Sequence, residues 1–445
     1  MKSLDVLVDE RLIGILHNKE PLTFVYSEDC LGGLIRNPFA YVIPLSTGDI
    51  ATPEVLAYFE NLLPEGDQRL ALQQKYHVST VFGLLSKVGW DTAGSVVLRP
   101  TGTIEENSQY IKKSWADISR IISGQGIQSD SSKVSISGAQ YKILLSLDDD
   151  GDPLLPVGST PSTHILKPDI KREGQQIWAS AINETILMRM AAKCGLPVAS
   201  VRYIESVKSC LVRRYDRDIK DGNVLRIGQS DLCQLLKKPS SVKYEIDGGP
   251  NFSSCYFQVK STSTNPVIDC ENLVKWIFFN LYTGNNDSHA KNLSMLQEGG
   301  GYKLAPFYDL MCTTIYSGFS SNFSFKIGST FKPGEVDKKQ LNTFAKSIGA
   351  SGNFILKVAT DMYERIVPAM EQSINEIYAT LGSSEKLMVE KLIYEISRIS
   401  KKRISKFLDI SPSAKVAKER STRALEFIQS LKGKQDSIKD IDKLI

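Results

Sequence analysis

The chain has 445 residues, 42% hydrophobic and 23% charged, with a net charge of +4 at pH 7. Those proportions are ordinary for a soluble globular protein, and the length suggests two or three subdomains rather than one compact core. The mild charge demands no nucleic-acid partner, and no apolar run approaches the ~20 residues of a membrane helix. Seven scattered cysteines without a CxxC pair indicate neither a disulfide framework nor a zinc site; they fit reduced thiols in the cytoplasm, and no signal segment opens the chain.

Residues 4–16 alternate around Asp9 and Glu10 and predict a β-hairpin, with a third strand at 22–26. The period then changes. Val55, Leu56, Phe59, Leu62 and Leu63 mark a helical stripe within residues 53–74, where Gly66, Asp67 and Arg69 cap and brace a turn. A short helix around Phe82–Val88 and a strand at 96–98 complete an α+β module over residues 1–100. Residues 101–131, rich in Ser, Gly and Gln around one helix at 110–122, read as a connector.

Residues 133–146 place a small-residue run, SISGAQ at 135–140, directly before a strand. Such a run is either a β-turn or a loop whose backbone N–H groups wrap phosphate oxygens. The acidic stretch 148–152 is a solvated turn. Lys167 ends an apolar strand, where a buried ammonium requires an anion or must snorkel to water. Glu184 follows inside a helix at 177–194, and a strand lysine paired with a helix glutamate is how kinases grip the α- and β-phosphates. Strand-like runs at 201–205 and 209–212 lead to residues 213–217, RRYDR. That stretch is either a charged strand end or a hinge, with backbone groups reading adenine and Asp216 taking ribose hydroxyls. Ser230 opens a helix ended by Pro239.

An apolar helix at 273–282 ends at Gly284 and presents the loop GNNDSHAKN, 284–292. Asp287 and Asn292 stand in the Asp-x4-Asn spacing of a kinase catalytic loop, although His289 follows the aspartate rather than preceding it. After a strand at 302–305 comes Asp309. One carboxylate to orient or deprotonate a hydroxyl, with an amide and a second carboxylate to hold magnesium, is the equipment of phosphoryl transfer. A polar turn is the alternative. The remainder predicts helices at 337–348, 352–380, 384–408 and 413–432, the third with a basic run from Arg398 to Lys406 that is a solvated face or a DNA or partner contact.

Taken in order, these motifs resemble the HipA family of serine/threonine kinases, the toxins of HipA–HipB toxin–antitoxin pairs, across nearly the whole chain. Residues 59–66 and 89–94 resemble its N-terminal subdomain, 135–142 its SxxGAQxK phosphate loop and 163–168 its HxLKP lysine strand. Residues 212–217 resemble its hinge, 284–292 its GNxDxHxKN catalytic loop and Tyr308–Asp309 its magnesium segment. The family usually has glutamate where Tyr141 stands, and often where Arg213 stands. The resemblance implies an α+β, two-lobed protein-kinase-like fold. It divides the chain into the N-terminal subdomain (1–100), the connector (101–131), an N-lobe-like region (132–216) and a helical C-lobe (217–445).

It also implies ATP and Mg2+ as cofactors. Asp287 would be the catalytic base and Lys167 would hold the phosphates with Glu184 as partner, while Lys291 and His289 would support the transferring phosphate and the loop. Asn292 and Asp309 would bind metal. The phosphate loop would comprise Ser135, Ser137, Gly138, Ala139, Gln140 and Lys142. Arg213 and Tyr215 would meet adenine through the backbone, and Asp216 the ribose. Ser135 or Ser137 would be self-phosphorylated, adding nearly two negative charges that repel ATP. Implied partners are a HipB-like antitoxin, operator DNA through that complex, and a cytosolic translation protein such as an aminoacyl-tRNA synthetase as substrate. A corepressor with vestigial activity, or a small-molecule kinase, is the alternative.

Overall fold

The computed structural model describes residues 2–34, 39, 41–103, 109–124, 140–171, 177–298, 300–409 and 424–433. The chain forms two compact units, neither contiguous in sequence. The first takes residues 1–168, 211–266 and 290–305, and the second takes 169–210, 267–289 and 306–445.

The first unit begins with a four-stranded antiparallel sheet in the order Thr23–Tyr26, Arg11–His17, Ser3–Val8, Val97–Pro100. The expected hairpin turns at Asp9 and Glu10, both with positive φ (49° and 60°), the geometry that matches the strands' right-handed twist. Phe24, Phe39, Tyr58 and Phe59 fill the core of this module, with the Phe39 and Tyr58 rings 4.8 Å apart. Each such buried side chain contributes about 1.5–3 kcal/mol relative to exposure.

The single helical stripe expected over 53–74 is two helices, Pro53–Glu60 and Gly66–Tyr76. The second buries no residue, so only the first carries the core stripe, and the break between them holds Asn61 and Glu65. Within the connector, residues expected to start a helix form the strand Gln109–Lys112, which pairs with Pro153–Val157. The helix follows at Trp115–Ile122, where Ser114 and Asp117 form a reciprocal cap.

A second sheet carries, in this unit, Gln109–Lys112, Pro153–Val157, Ile143–Leu147, His164–Pro168 and residues 211–213 in that order. A third joins Gln229–Asp231, Ser294–Glu298 and Gly301–Leu304. The helix expected to open at Ser230 is the short Leu232–Leu235, capped by Asp231, whose side chain accepts from the Gln234 N–H.

The second unit is helical. Its centre is Pro266–Thr283, where Trp276, Phe278, Phe279 and Tyr282 are all buried. Residues 276–283 are buried on every side, which makes this end of the helix part of the core. Trp276 stacks on Phe307 with centroids 5.8 Å apart, Phe278 meets Phe407, and the Tyr282 hydroxyl donates to the Ala359 carbonyl at 2.9 Å. Around it lie Ser180–Lys193, Lys338–Ser347, Gly352–Asn375 and Ser383–Phe407. Residues 424–433 are helical, while residues 413–423 of the helix expected over 413–432 lie outside the described residues. Among the described residues no helix is long and apolar enough to cross a membrane.

Candidate active site

In the second unit the helix Pro266–Thr283 ends where Gly284 takes a left-handed φ of 71°. The Asn285 N–H returns to the Asn280 carbonyl at 3.0 Å, the six-to-one bond of a glycine-terminated helix. The Asn285 side chain reinforces this, donating to Asn280 Oδ1 at 2.9 Å and accepting from the Asp287 N–H at 3.2 Å. Asn286 is held on three sides. Its N–H donates to Thr313 Oγ1 at 2.9 Å, its amide donates to the Ser320 carbonyl at 3.0 Å, and its carbonyl accepts from Ser324 Oγ at 2.7 Å. Among residues 281–297, Asp287 alone is not buried; His289 is. A loop so fixed, showing water a single carboxylate, positions that carboxylate rather than merely turning the chain.

Asp309 belongs to the same unit and is half-buried. Its φ of 61° lies in the left-handed region that aspartate tolerates better than most residues. Two residues earlier Phe307 is anchored, its N–H to the Pro197 carbonyl at 2.8 Å and its carbonyl to the Ala199 N–H at 2.9 Å. Three residues later Cys312 is clamped by Asn183, which accepts from its N–H and donates to its carbonyl, both at 3.0 Å. Asn183 precedes the buried Glu184 on Ser180–Lys193, so one helix carries the glutamate and fixes the backbone that follows Asp309.

In the first unit Lys167 is buried on the strand His164–Pro168. Next to it the Gln140 side chain donates to the Pro168 carbonyl at 2.9 Å, and Lys142 is half-buried at the start of the neighbouring strand. Ser135, Ser137, Gly138 and Ala139 lie outside the described residues.

The stretch 213–217 alternates: Arg213 is exposed, Tyr215 half-buried, and Arg214, Asp216 and Arg217 buried. Arg214 grips Asp216 with two bonds, at 2.9 and 2.8 Å, and the Gly94 N–H donates to the same carboxylate at 2.7 Å. Asp91, fully buried, accepts from Ser162 Oγ at 2.6 Å, from Arg217 at 2.7 Å and from Arg214 at 3.3 Å. Burial would raise the Asp91 pKa, but Arg217, Arg214 and Arg226 outweigh it and hold the carboxyl well below its usual range. The Asp216 carboxylate is thus held by Arg214 and by Gly94, joining the N-terminal module to the 213–217 stretch.

Lys291 lies in the first unit, within a polar cluster. Its ammonium is buried and donates to Asn61 Oδ1 at 2.6 Å, the Asn61 carbonyl at 3.1 Å and Asp231 Oδ2 at 3.0 Å, with Glu65 at 3.5 Å. Burial pulls the Lys291 pKa down, and Asp231 and Glu65 more than restore it, so the group stays charged. Asn292 closes the same short turn, Ala290–Asn292. The amide oxygen of Asn292 and the carboxylate of Asp309 are hard donors of the kind Mg2+ accepts alongside water and phosphate.

Two family models match the chain: the HipA N-terminal domain over residues 4–99 and the HipA-like C-terminal domain over residues 134–374. The protein named "Putative kinase Y4mE" from Sinorhizobium fredii is 33% identical, the match covering 84% of this chain and 93% of that protein. The serine/threonine-protein kinase toxin HipA of Shewanella oneidensis is 29% identical over 76% of this chain and 81% of its own length. A solved structure of Shewanella oneidensis MR-1 HipA, with HipB and its operator DNA, matches with a TM-score of 0.76 and 26% identity. That match covers 94% of this chain and 99% of the other. The α+β fold of this chain is therefore the kinase-like fold of HipA.

Proposed function

The chain belongs to the HipA family of serine/threonine-kinase toxins, and on that premise we propose that it transfers the γ-phosphoryl group of ATP, with Mg2+, to serine or threonine hydroxyls of a protein. The observation that carries this reading is the half-exposed Asp287 in an otherwise buried and rigidly held loop. Asp287 orients the attacking hydroxyl and takes up its proton. Asn292 and Asp309 hold the metal, which neutralises charge on the phosphates when bound. Lys167 would grip the α- and β-phosphates. Gln140 and Lys142 belong to the phosphate loop with Ser135, Ser137, Gly138 and Ala139, and Arg213 and Tyr215 meet adenine through their backbones. His289, buried within the loop, supports it. Such chemistry needs little covalent participation from the protein; positioning and charge compensation do most of it.

The substrate is a cytoplasmic translation protein of the aminoacyl-tRNA synthetase class, and the loop serines Ser135 or Ser137 are modified by the chain itself. A HipB-like antitoxin, and operator DNA through it, are the partners, by likeness to the HipA–HipB–DNA complex. In the basic run, Arg398 is paired with Glu395 and Lys406 meets the Gly334 carbonyl, which favours DNA contact through the antitoxin rather than through this helix alone. Phosphoproteomics after induced expression tests the reading. A phosphosite on a translation protein should appear with the parent chain and vanish with Asp287→Ala, and identical profiles would overturn it.

A further inference from the structure

The break between the helices Pro53–Glu60 and Gly66–Tyr76 is built around the Lys291 ammonium. Asn61 supplies two of its acceptors, and its own amide donates to the Ala57 carbonyl at 2.7 Å and the Lys238 carbonyl at 2.9 Å. Glu65 meets Lys291 through one oxygen and Lys243, at 2.7 Å, through the other. Asp231 divides its oxygens between Lys291 and the Gln234 N–H, and the Gln234 amide continues to the Tyr58 carbonyl at 3.0 Å. The Asn61, Glu65 and Asp231 oxygens that meet Lys291 therefore come from segments fixed elsewhere: residues 57–65 of the N-terminal module and the turn at 231–243. The turn carrying Lys291 is held by its backbone as well, since the Leu293 carbonyl accepts from the Leu232 N–H at 2.8 Å and Ser294 pairs with Asp231.

An ammonium with four oxygens around it, inside protein, tolerates no displacement without leaving a charge unpaired. Asn292 is its immediate neighbour in the turn Ala290–Asn292, so anchoring Lys291 restrains the backbone from which the Asn292 amide projects.

We propose that Asn61, Glu65 and Asp231 are positioning residues of the phosphotransfer site, acting through Lys291 to set the metal-binding amide of Asn292. The N-terminal module is then part of the kinase machinery rather than an appendage. This inference rests on the kinase reading for its link to Mg2+, but not for its link to the loop.

The test uses the full chain and measures phosphoryl transfer against Mg2+ concentration, KM for ATP, melting temperature and amide exchange at residues 288–293. Asn61→Ala should raise the Mg2+ needed for half-maximal transfer about ten- to a hundredfold, the range for losing one hydrogen bond to a buried charge. It should also speed exchange at 288–293. Asn61→Asp keeps the oxygen facing Lys291 but loses both amide donors. It should melt lower than the parent yet keep the parent's Mg2+ requirement within about threefold, separating positioning from stability. Arg69→Ala, which breaks a pair with Glu60 on the same module, should leave the Mg2+ requirement unchanged. Should Asn61→Ala and Asn61→Asp change the Mg2+ requirement only in step with melting temperature, or should exchange at 288–293 stay at the parent rate, the inference is overturned. If the parent transfers no phosphate while exchange still quickens in Asn61→Ala, the kinase reading fails and the loop-holding role stands.

Discussion

Replacing Asp91 by asparagine probes the buried charge network that joins the N-terminal module to residues 213–217. The substitution keeps shape and volume. It removes one of two carboxylates, Asp91 and Asp216, that face three guanidiniums, Arg214, Arg217 and Arg226. It also turns an amide N–H2 toward a group that is itself a donor: the Ser162 N–H, at 3.0 Å, where the amide nitrogen takes the Oδ2 place, or Arg217, at 2.7 Å, where it takes the Oδ1 place. Both charges and donors would be left uncompensated in a dry site, a change that typically destabilises by about 3–5 kcal/mol. Urea unfolding of parent and variant, followed by tryptophan fluorescence, reads this.

The pH dependence has a definite sign. The native carboxyl lies below its unfolded value, so its contribution is complete above about pH 4 and fades as the pH falls toward the native pKa. The gap between parent and Asp91→Asn should be widest near pH 7. It should then narrow by about 1.4 kcal/mol per pH unit below about pH 4. A loss under about 1 kcal/mol at pH 7, or a gap indifferent to acid, would refute the account of this network.

Gly284→Ala should destabilise the second unit by more than the ~1–2 kcal/mol of a left-handed backbone alone. Its Cβ would stand 2.4 Å from Thr314 Oγ1 and 2.9 Å from Ile399 Cδ1; an unchanged melting temperature would contradict this. Asp309→Asn retains a residue type that tolerates φ 61°, so its melting temperature should match the parent's while calorimetry shows Mg-ATP binding weakened tenfold or more, about 1.4 kcal/mol. Trp276→Ala should cost about 3–5 kcal/mol through the cavity left against Phe307 and Phe325, read as a lowered urea midpoint.

Local signals carried much of this molecule. The glycine stop at Gly284 and the alternating hairpin around Asp9 and Glu10 follow from a few adjacent residues, and both stand where the sequence placed them. What depends on distant partners was not legible. Asp216 and Tyr215 look alike as hinge candidates until Arg214 and Gly94 are seen closing around the carboxylate, and Gly94 lies 122 residues away. The sequence suggests a phosphate-supporting role for Lys291 and gives no sign of its acceptor Asn61, 230 residues upstream. Residues 109–112 carry helix-compatible side chains, yet pairing with Pro153–Val157 makes them a strand. Asp91 offered one clue: a carboxylate wedged between Trp90 and the small residues of 92–95 has little room for water.

The most direct measurement gives γ-labelled ATP and Mg2+ to the purified chain in a cell lysate, beside its Asp287→Ala form, and separates proteins from small molecules. The parent should place label on protein, including its own Ser135 or Ser137, and the variant should place none. Equal labelling by both forms, or label confined to small molecules, would contradict a protein kinase working through Asp287.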